Sequence, residues 1–306
     1  MKSKESNPLI HPLQDRHADY LTDESRLSGK AESISFPQNE AQIQAIVKLL
    51  SKQQTPITVQ GSRTGITGGA VPVRGHIMNL TKMTKVTGME QDPDGRFLVR
   101  VQPGVLLSEL DHQLDSRQFD TQLWDKKSLN ALNAFKRAGT HFWPPDPSER
   151  SASVGGIAAS NSHGICSFHY GPARDHIEQI RVVDGNGKLL TITKGEYLFS
   201  NGICPLPGNG TIQIDPEILD LDPVIDLMDV YLGSQGMFGV ITELTLSLQV
   251  LPSELWGIVF FFESQPWAVE FIDAIHPGQT TPSATHIAAV EFLDETTDFL
   301  SQYALL

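Results

Sequence analysis

Apolar positions along the chain recur with two periods, about 3.6 and 2, and they lay out its elements. Between Gln38 and Lys52, residues Ile43, Ile46, Val47, Leu49 and Leu50 form a helical stripe. Ile34-Ser-Phe36-Pro37 before it and Pro56 to Val59 after it read as strands, which makes a β-α-β unit. His76-Ile-Met-Asn-Leu80 is a further strand. Phe97-Leu-Val-Arg-Val101 alternates into the turn Gln102-Pro103-Gly104, and Val105 to Leu114 predicts a helix. Asp115 to Phe142 shows no clear period. Ile177 to Val183 and Leu189 to Thr193 are strands around an Asp184-Gly-Asn-Gly187 hairpin turn. Gly195 to Pro223 reads as a long loop. Asp226 to Leu232 reads as a short helix and Val240 to Val250 as a strand. Leu255 to Phe262 (strand), Gln265 to Ile275 (helix) and His286 to Phe292 (strand) begin another β-α-β module, with too few elements to bury both faces of a sheet. The pattern predicts an α+β protein. A polar arm with one short helix occupies residues 1–30. A body of two subdomains, about 31–115 and 116–253, follows, and a partial module covers 254–306.

Three stretches interrupt the periodicity. Val59-Gln-Gly-Ser-Arg-Thr-Gly-Ile-Thr-Gly-Gly-Ala-Val-Pro72 holds glycine at 61, 65, 68 and 69. It reads either as an ordinary glycine-rich hairpin turn or as a nest of main-chain N–H groups for a pyrophosphate. It is no P-loop, since no Gly-Lys-Ser/Thr follows. Pro72 and Gly75 make a poor helix start, so it is no dinucleotide-binding Rossmann turn either. Ser151 to Gly164 is almost wholly small residues. That implies either a flat or bulky group lying against the chain or close helix–sheet packing at Gly155 and Gly156. Gly233-Ser-Gln-Gly-Met-Phe-Gly239 is a second glycine-rich turn.

The chain has 306 residues, room for one large domain or two, and a net charge of −13. That charge argues against nucleic acid and anionic membrane as partners, both of which need clustered Lys and Arg. No apolar run reaches the roughly 18 residues of a membrane span, and the N-terminus lacks an apolar signal core. Cys166 and Cys204 make neither a disulfide framework nor a metal spacing, so the expected setting is reducing and cytoplasmic. His141, His163, His169 and His176 share no helical spacing. No metal site and no catalytic base are assigned.

Six segments occur in one order: Gly61-Ser-Arg-Thr-Gly-Ile-Thr-Gly-Gly-Ala-Val-Pro72, Val101-Gln-Pro-Gly-Val105, Pro144-Pro-Asp-Pro-Ser148, Ser153-Val-Gly-Gly156, Tyr170-Gly-Pro-Ala-Arg-Asp175, and Gly233-Ser-Gln-Gly-Met-Phe-Gly-Val-Ile-Thr-Glu243. The set resembles the FAD-binding (PCMH-type) domain of the vanillyl-alcohol oxidase and p-cresol methylhydroxylase family. It is most similar to the branch of the glycolate oxidase flavin subunit and D-lactate dehydrogenase, over roughly residues 30 to 253.

That resemblance implies a two-subdomain FAD-binding fold followed by the start of an α/β substrate cap. Gln60, Gly61, Ser62, Arg63, Thr64, Gly65, Thr67 and Gly68 would hold the pyrophosphate. Pro147, Ser148 and Ser153 would line the nucleotide and flavin. Gly155, Gly156, Ser160, Asn161 and Gly164 would run beside the ribityl chain and the ring edge. Gln235, Gly239, Val240 and Ile241 would close over the adenine. Family members with covalent flavin on the first loop carry His there, so Ser62 and Arg63 imply non-covalent FAD. The implied substrate is a small 2-hydroxy acid, with an electron-accepting protein or second subunit as further partner. Substrate-binding and base residues of that branch lie in a cap that continues past Leu306. Ser62 and Arg63 replace two of the family's glycines, and Gln235 replaces a Glu.

Overall fold

A computed structural model describes residues 7–206, 210–213, 225–275 and 287–292. The chain opens with β1 (His11–Pro12), a 3-10 turn at Asp15–Leu21, and β2 (Ser33–Ser35). Helix α1 (Glu40–Lys52) starts where Asn39 accepts a hydrogen bond from the Gln42 N–H at 3.0 Å. Its stripe Ile43, Ile46, Val47 and Leu50 is buried, as the periodicity requires. Strands β3 (Ile57–Gln60) and β4 (His76–Asn79) follow. These elements form a four-stranded sheet ordered β1-β2-β4-β3, with β2 and β3 both parallel to β4.

The second sheet draws its strands from far apart in sequence. They are β5 (Val86–Gln91) and β6 (Phe97–Val101), then β8 (Ile177–Asp184), β9 (Leu189–Thr193) and β12 (Gly239–Ser247), after the intervening elements below are counted. The order is β5-β6-β12-β8-β9, antiparallel throughout. Between β6 and β8 lie α2 (Leu107–Ser116), α3 (Lys126–Phe135), β7 (His141–Phe142), α4 (Val154–Ala159) and α5 (Ser167–Tyr170). Beyond β9 come a hairpin of β10 (Ile203–Pro205) with β11 (Thr211–Gln213), and α6 (Leu227–Tyr231). β13 (Gln249–Val250) pairs with β7, and α7 is Gln265–Ile275.

The main core lies between this sheet and α2 to α4, with Val99, Val101, Leu107, Leu110, Phe135 and Ile157 inside. A smaller core joins the sheets. Ile43, Ile46, Val47 and Leu50 of α1 and Met78 of β4 pack with Val183 of β8 and Val240 of β12. Beside it, Arg181 Nε and Nη2 each reach a Glu40 carboxylate oxygen at 2.7 Å, and Thr242 Oγ1 donates to Glu40 Oε1 at 2.7 Å. The two sheets therefore meet along one seam, sealed by apolar burial and a bidentate ion pair.

The structure corrects several expectations. The first sheet ends at Asn79 and the second begins at Val86, because β6 takes β12 as its neighbour. Asp115 to Phe142 contains α3, whose N-cap Asp125 accepts from the Ser128 N–H at 2.7 Å. The stretch 195–223 is not all loop, since it carries β10 and β11; residues 207–209 and 214–224 lie outside the described ones. Leu255 to Phe262 is apolar enough for a strand but forms none, and among the described residues no strand lies beside it to take up its main-chain groups. Residues 287–292 likewise carry no strand, and His286 lies outside the described residues.

Candidate functional site

The glycine-rich stretch after β3 is held from below and open above. Buried Gln60 donates from Nε2 to the Tyr20 and Ala70 carbonyls at 2.8 and 2.7 Å, closing the base of the loop. Asp23 Oδ2 accepts from Ala70 N–H, and Glu24 N–H donates to the Arg63 carbonyl. The N-terminal arm thus acts as the loop's foundation, a role its polar, aperiodic sequence did not signal. From Arg63 through Gly69, no main-chain N–H donates to any group of the described residues. Such a run of open donors suits an anion of several oxygens.

At Gly61 the loop touches the small-residue stretch. A Cβ there would stand 2.1 Å from Ser153 Oγ. That hydroxyl caps α4, accepting from Gly156 N–H at 3.3 Å and from Ser62 N–H at 3.4 Å. The Ser62 hydroxyl is buried with no partner among the described residues. Arg63 turns away from this contact. Its guanidinium lies 4.5 Å from the Tyr20 ring centroid and donates to the Asp19 carbonyl, so it braces the arm. Thr64 and Gly65 carry the loop outward.

The second turn closes on both segments. Gln235 N–H donates to the Ala159 carbonyl at 2.8 Å, and Gly233 N–H to the Ala158 carbonyl at 3.1 Å. Gln235 Nε2 donates to Thr67 Oγ1 at 3.2 Å, and its side chain lies against Gly69. The three stretches singled out by composition are therefore in contact with one another where the two sheets join. Gly239, Val240 and Ile241 begin β12, paired with β8 on one side. The β6 pairing starts only at Leu244, so among the described residues the other edge of 239–243 has no strand beside it. A cavity of about 380 Å³ lies beside this strand start, lined by polar Gln54, Thr55 and Asp184 as well as Ile57, Val59, Met237, Phe238 and Val240.

Some of the expected lining residues serve the chain itself. Gly155 packs on Pro103, and Gly164 lies so close to the Asp146 carbonyl that no Cβ fits, which clamps Asp146 and Pro147 beside it. Ser148 follows in the same loop. Ser160 Oγ donates to the Gly156 carbonyl at 2.6 Å. Asn161 Oδ1 accepts from Arg174 N–H at 3.0 Å. Arg174, absent from the sequence expectation, stands at this end of the groove. Cys166 lies 3.8 Å from Asp146 Oδ2, and burial and that carboxylate push its thiol above the usual range, so it stays protonated. Burial likewise lowers His176, whose Nε2 lies 2.7 Å from the Tyr170 carbonyl. Among the described residues, no group of three or more His, Cys, Asp or Glu is placed to hold a metal ion.

The α+β fold, with the three glycine- and small-residue stretches in contact where its two sheets meet, is of the PCMH-type FAD-binding class. Residues 31–123 and 128–193, just over half the chain, match the family described as FAD binding domain, and the chain belongs to that family. It is 28% identical over 287 residues to a D-lactate dehydrogenase of Anaerostipes hadrus, covering 93% of this chain and 50% of that one. It is 25% identical over 268 residues to the glycolate oxidase subunit GlcD of Bacillus subtilis, covering 87% and 46%. The chain spans half or less of the length of these relatives. An alkyldihydroxyacetonephosphate synthase structure shares the fold at a TM-score of 0.50 and 20% identity, over 75% of this chain and 36% of that one.

FAD is the cofactor of this family, and the residues present fit it. The 63–69 amides and the Ser62 hydroxyl, without a partner among the described residues, match the anionic pyrophosphate of such a molecule.

Proposed function

We propose that this chain is the FAD-binding part of a flavin-linked dehydrogenase that oxidises a small D-2-hydroxy acid of the lactate or glycolate type. The observation that carries the reading is the run of amides from Arg63 to Gly69 without a partner among the described residues, in a loop that touches Ser153 at Gly61 and Gln235 at Thr67 and Gly69. These amides would hold the pyrophosphate, and Ser62 would donate to it. Pro147, Ser148, Ser153, Gly156, Ser160, Asn161 and Gly164 would flank the ribityl chain and ring. Val240 and Ile241 would meet the adenine, with Met237 and Phe238 shielding it from water. The attachment would be non-covalent, since Ser62 and Arg63 stand where covalently linked members carry His. FAD when bound supplies a two-electron acceptor for the hydride of the substrate α-carbon. The protein's part is to fix the flavin, exclude water along the groove and orient the ring.

The test is reconstitution with FAD followed by anaerobic addition of D-lactate, L-lactate or glycolate. Uptake of FAD is expected, and with the substrate cap supplied the D-acid or glycolate, and not L-lactate, is expected to bleach the flavin. A folded chain that takes up no FAD contradicts the reading. A second reading, a flavin-binding subunit whose substrate site needs another polypeptide surface, is favoured by the exposed apolar side chains of Leu255 to Phe262. Under it the bound flavin forms but is not bleached by the acid alone.

A further inference from the structure

Arg174 lies in the 3-10 turn Ala173–His176, where the small-residue stretch meets the second glycine-rich turn. Its Nη2 comes within 3.7 Å of the point a Cβ on Gly233 would occupy, and Asn161 Cβ lies 3.3 Å from that point. Guanidinium, Asn161 and Gly233 therefore form one contact at the groove. The side chain is 38% exposed, and among the described residues Asp229 is its one side-chain acceptor. Nε is buried with no acceptor among the described residues. Nη1 reaches Asp229 Oδ1 on α6 at only 3.4 Å, beyond the usual range of a charge-assisted hydrogen bond. Arginine carries five donors in a rigid fork and keeps its charge at every physiological pH. A buried donor left unmade is costly, and native structures rarely retain one without a use.

We propose that Arg174 is a cofactor-binding residue whose guanidinium donates to an acceptor of bound FAD, either a pyrophosphate oxygen or the carbonyl edge of the isoalloxazine ring. Asp229 orients the fork from behind. The assignment rests on the seam being the FAD site. It gives the groove a fixed positive charge that the loop lacks, because Arg63 is engaged with Tyr20 and Asp19.

The experiment is a fluorescence titration of the flavin-free 306-residue chain with FAD, ADP and riboflavin, for wild type, Arg174→Gln, Arg174→Lys and Asp229→Asn, with melting temperatures measured alongside. R174Q is expected to weaken FAD by about tenfold to a hundredfold, with R174K intermediate. D229N keeps the charge and stays within about threefold of wild type, since an exposed ion pair contributes little. A loss carried over to ADP identifies the pyrophosphate as the acceptor, and a loss carried over to riboflavin identifies the ring; either supports the proposal. If Arg174 serves only to tie the turn to α6, R174Q and D229N lose FAD affinity and melting temperature equally, and the proposal is overturned. Wild-type affinity in R174Q also overturns it and leaves the FAD site standing. A wild-type chain that binds no FAD overturns both. Should R174Q not fold, R174K decides: weaker FAD binding at an unchanged melting temperature supports the proposal, and unchanged affinity overturns it.

Discussion

At Gly61 an added methyl group would meet the hydroxyl that caps α4, so Gly61→Ala forces Ser153 either to rotate off its cap or to move the loop. The expected cost is about 1–3 kcal/mol of stability, together with weaker FAD retention. Gly65→Ala is the control. Nothing stands within 4 Å of its Cβ position, so stability should change by no more than about 0.5 kcal/mol. Urea unfolding of the two variants side by side checks the pair. A second residue-scale device is His76, fully buried between Ser33 Oγ at 2.9 Å and Ser35 Oγ at 2.7 Å. Burial takes its pKa from an ordinary 6.5 down to about 4. Between those values the unfolded chain binds a proton that the folded one does not, so stability rises with pH. The contribution is complete above pH 6.5 and is lost as pH falls through about 4, an effect of up to about 3 kcal/mol. Unfolding free energies measured from pH 7.5 to 4.5 should show that slope, and His76→Gln should flatten it. None of these partners was legible in the sequence. Glycine at 61 announces a close approach, but that Ser153 makes it depends on folding across 92 positions.

At the scale of elements, the Glu40–Arg181–Thr242 contact joins α1 to two strands of the other sheet. Hydrogen bonds from Arg181 and Thr242 hold the Glu40 carboxylate below its usual range despite its partial burial. The pair is about a third exposed, which moderates its strength. Glu40→Ala should cost about 1–2 kcal/mol in urea unfolding and should loosen the seam that carries the groove. Periodicity exposed α1, α2, β6, β8 and β9 because each turns one clear apolar face inward. It missed β5, where Gly88 interrupts the run Val86-Thr-Gly-Met-Glu-Gln91, and α3, whose apolar face is short and begins with Lys126 and Lys127. It overread Leu255 to Phe262, since apolar side chains alone do not supply a neighbouring strand.

For the whole molecule, the order of loops mattered more than any one of them. Three stretches recognisable by glycine and small side chains, at 61–68, 153–164 and 235–241, come to one seam because the two sheets share a core through α1, Val183 and Val240. Long-range pairing of β6 with β12 sets that geometry, and no local pattern encodes it. The apolar surface at 255–262 belongs to this scale too. Trp256 is 83% and Phe261 79% exposed, so Trp256→Ser with Phe261→Ser should leave stability within about 0.5 kcal/mol while reducing dye binding and self-association. A loss of several kcal/mol would mean that these rings are packed.

Hydrogen–deuterium exchange of the flavin-free chain, with and without added FAD, bears most directly on the shared groove. FAD should slow exchange in peptides covering 62–69, 153–164 and 235–241 together and leave the β10–β11 hairpin unchanged. Uptake of FAD with no protection of the first loop, or with protection confined to one of the three segments, would contradict a cofactor wrapped by all of them.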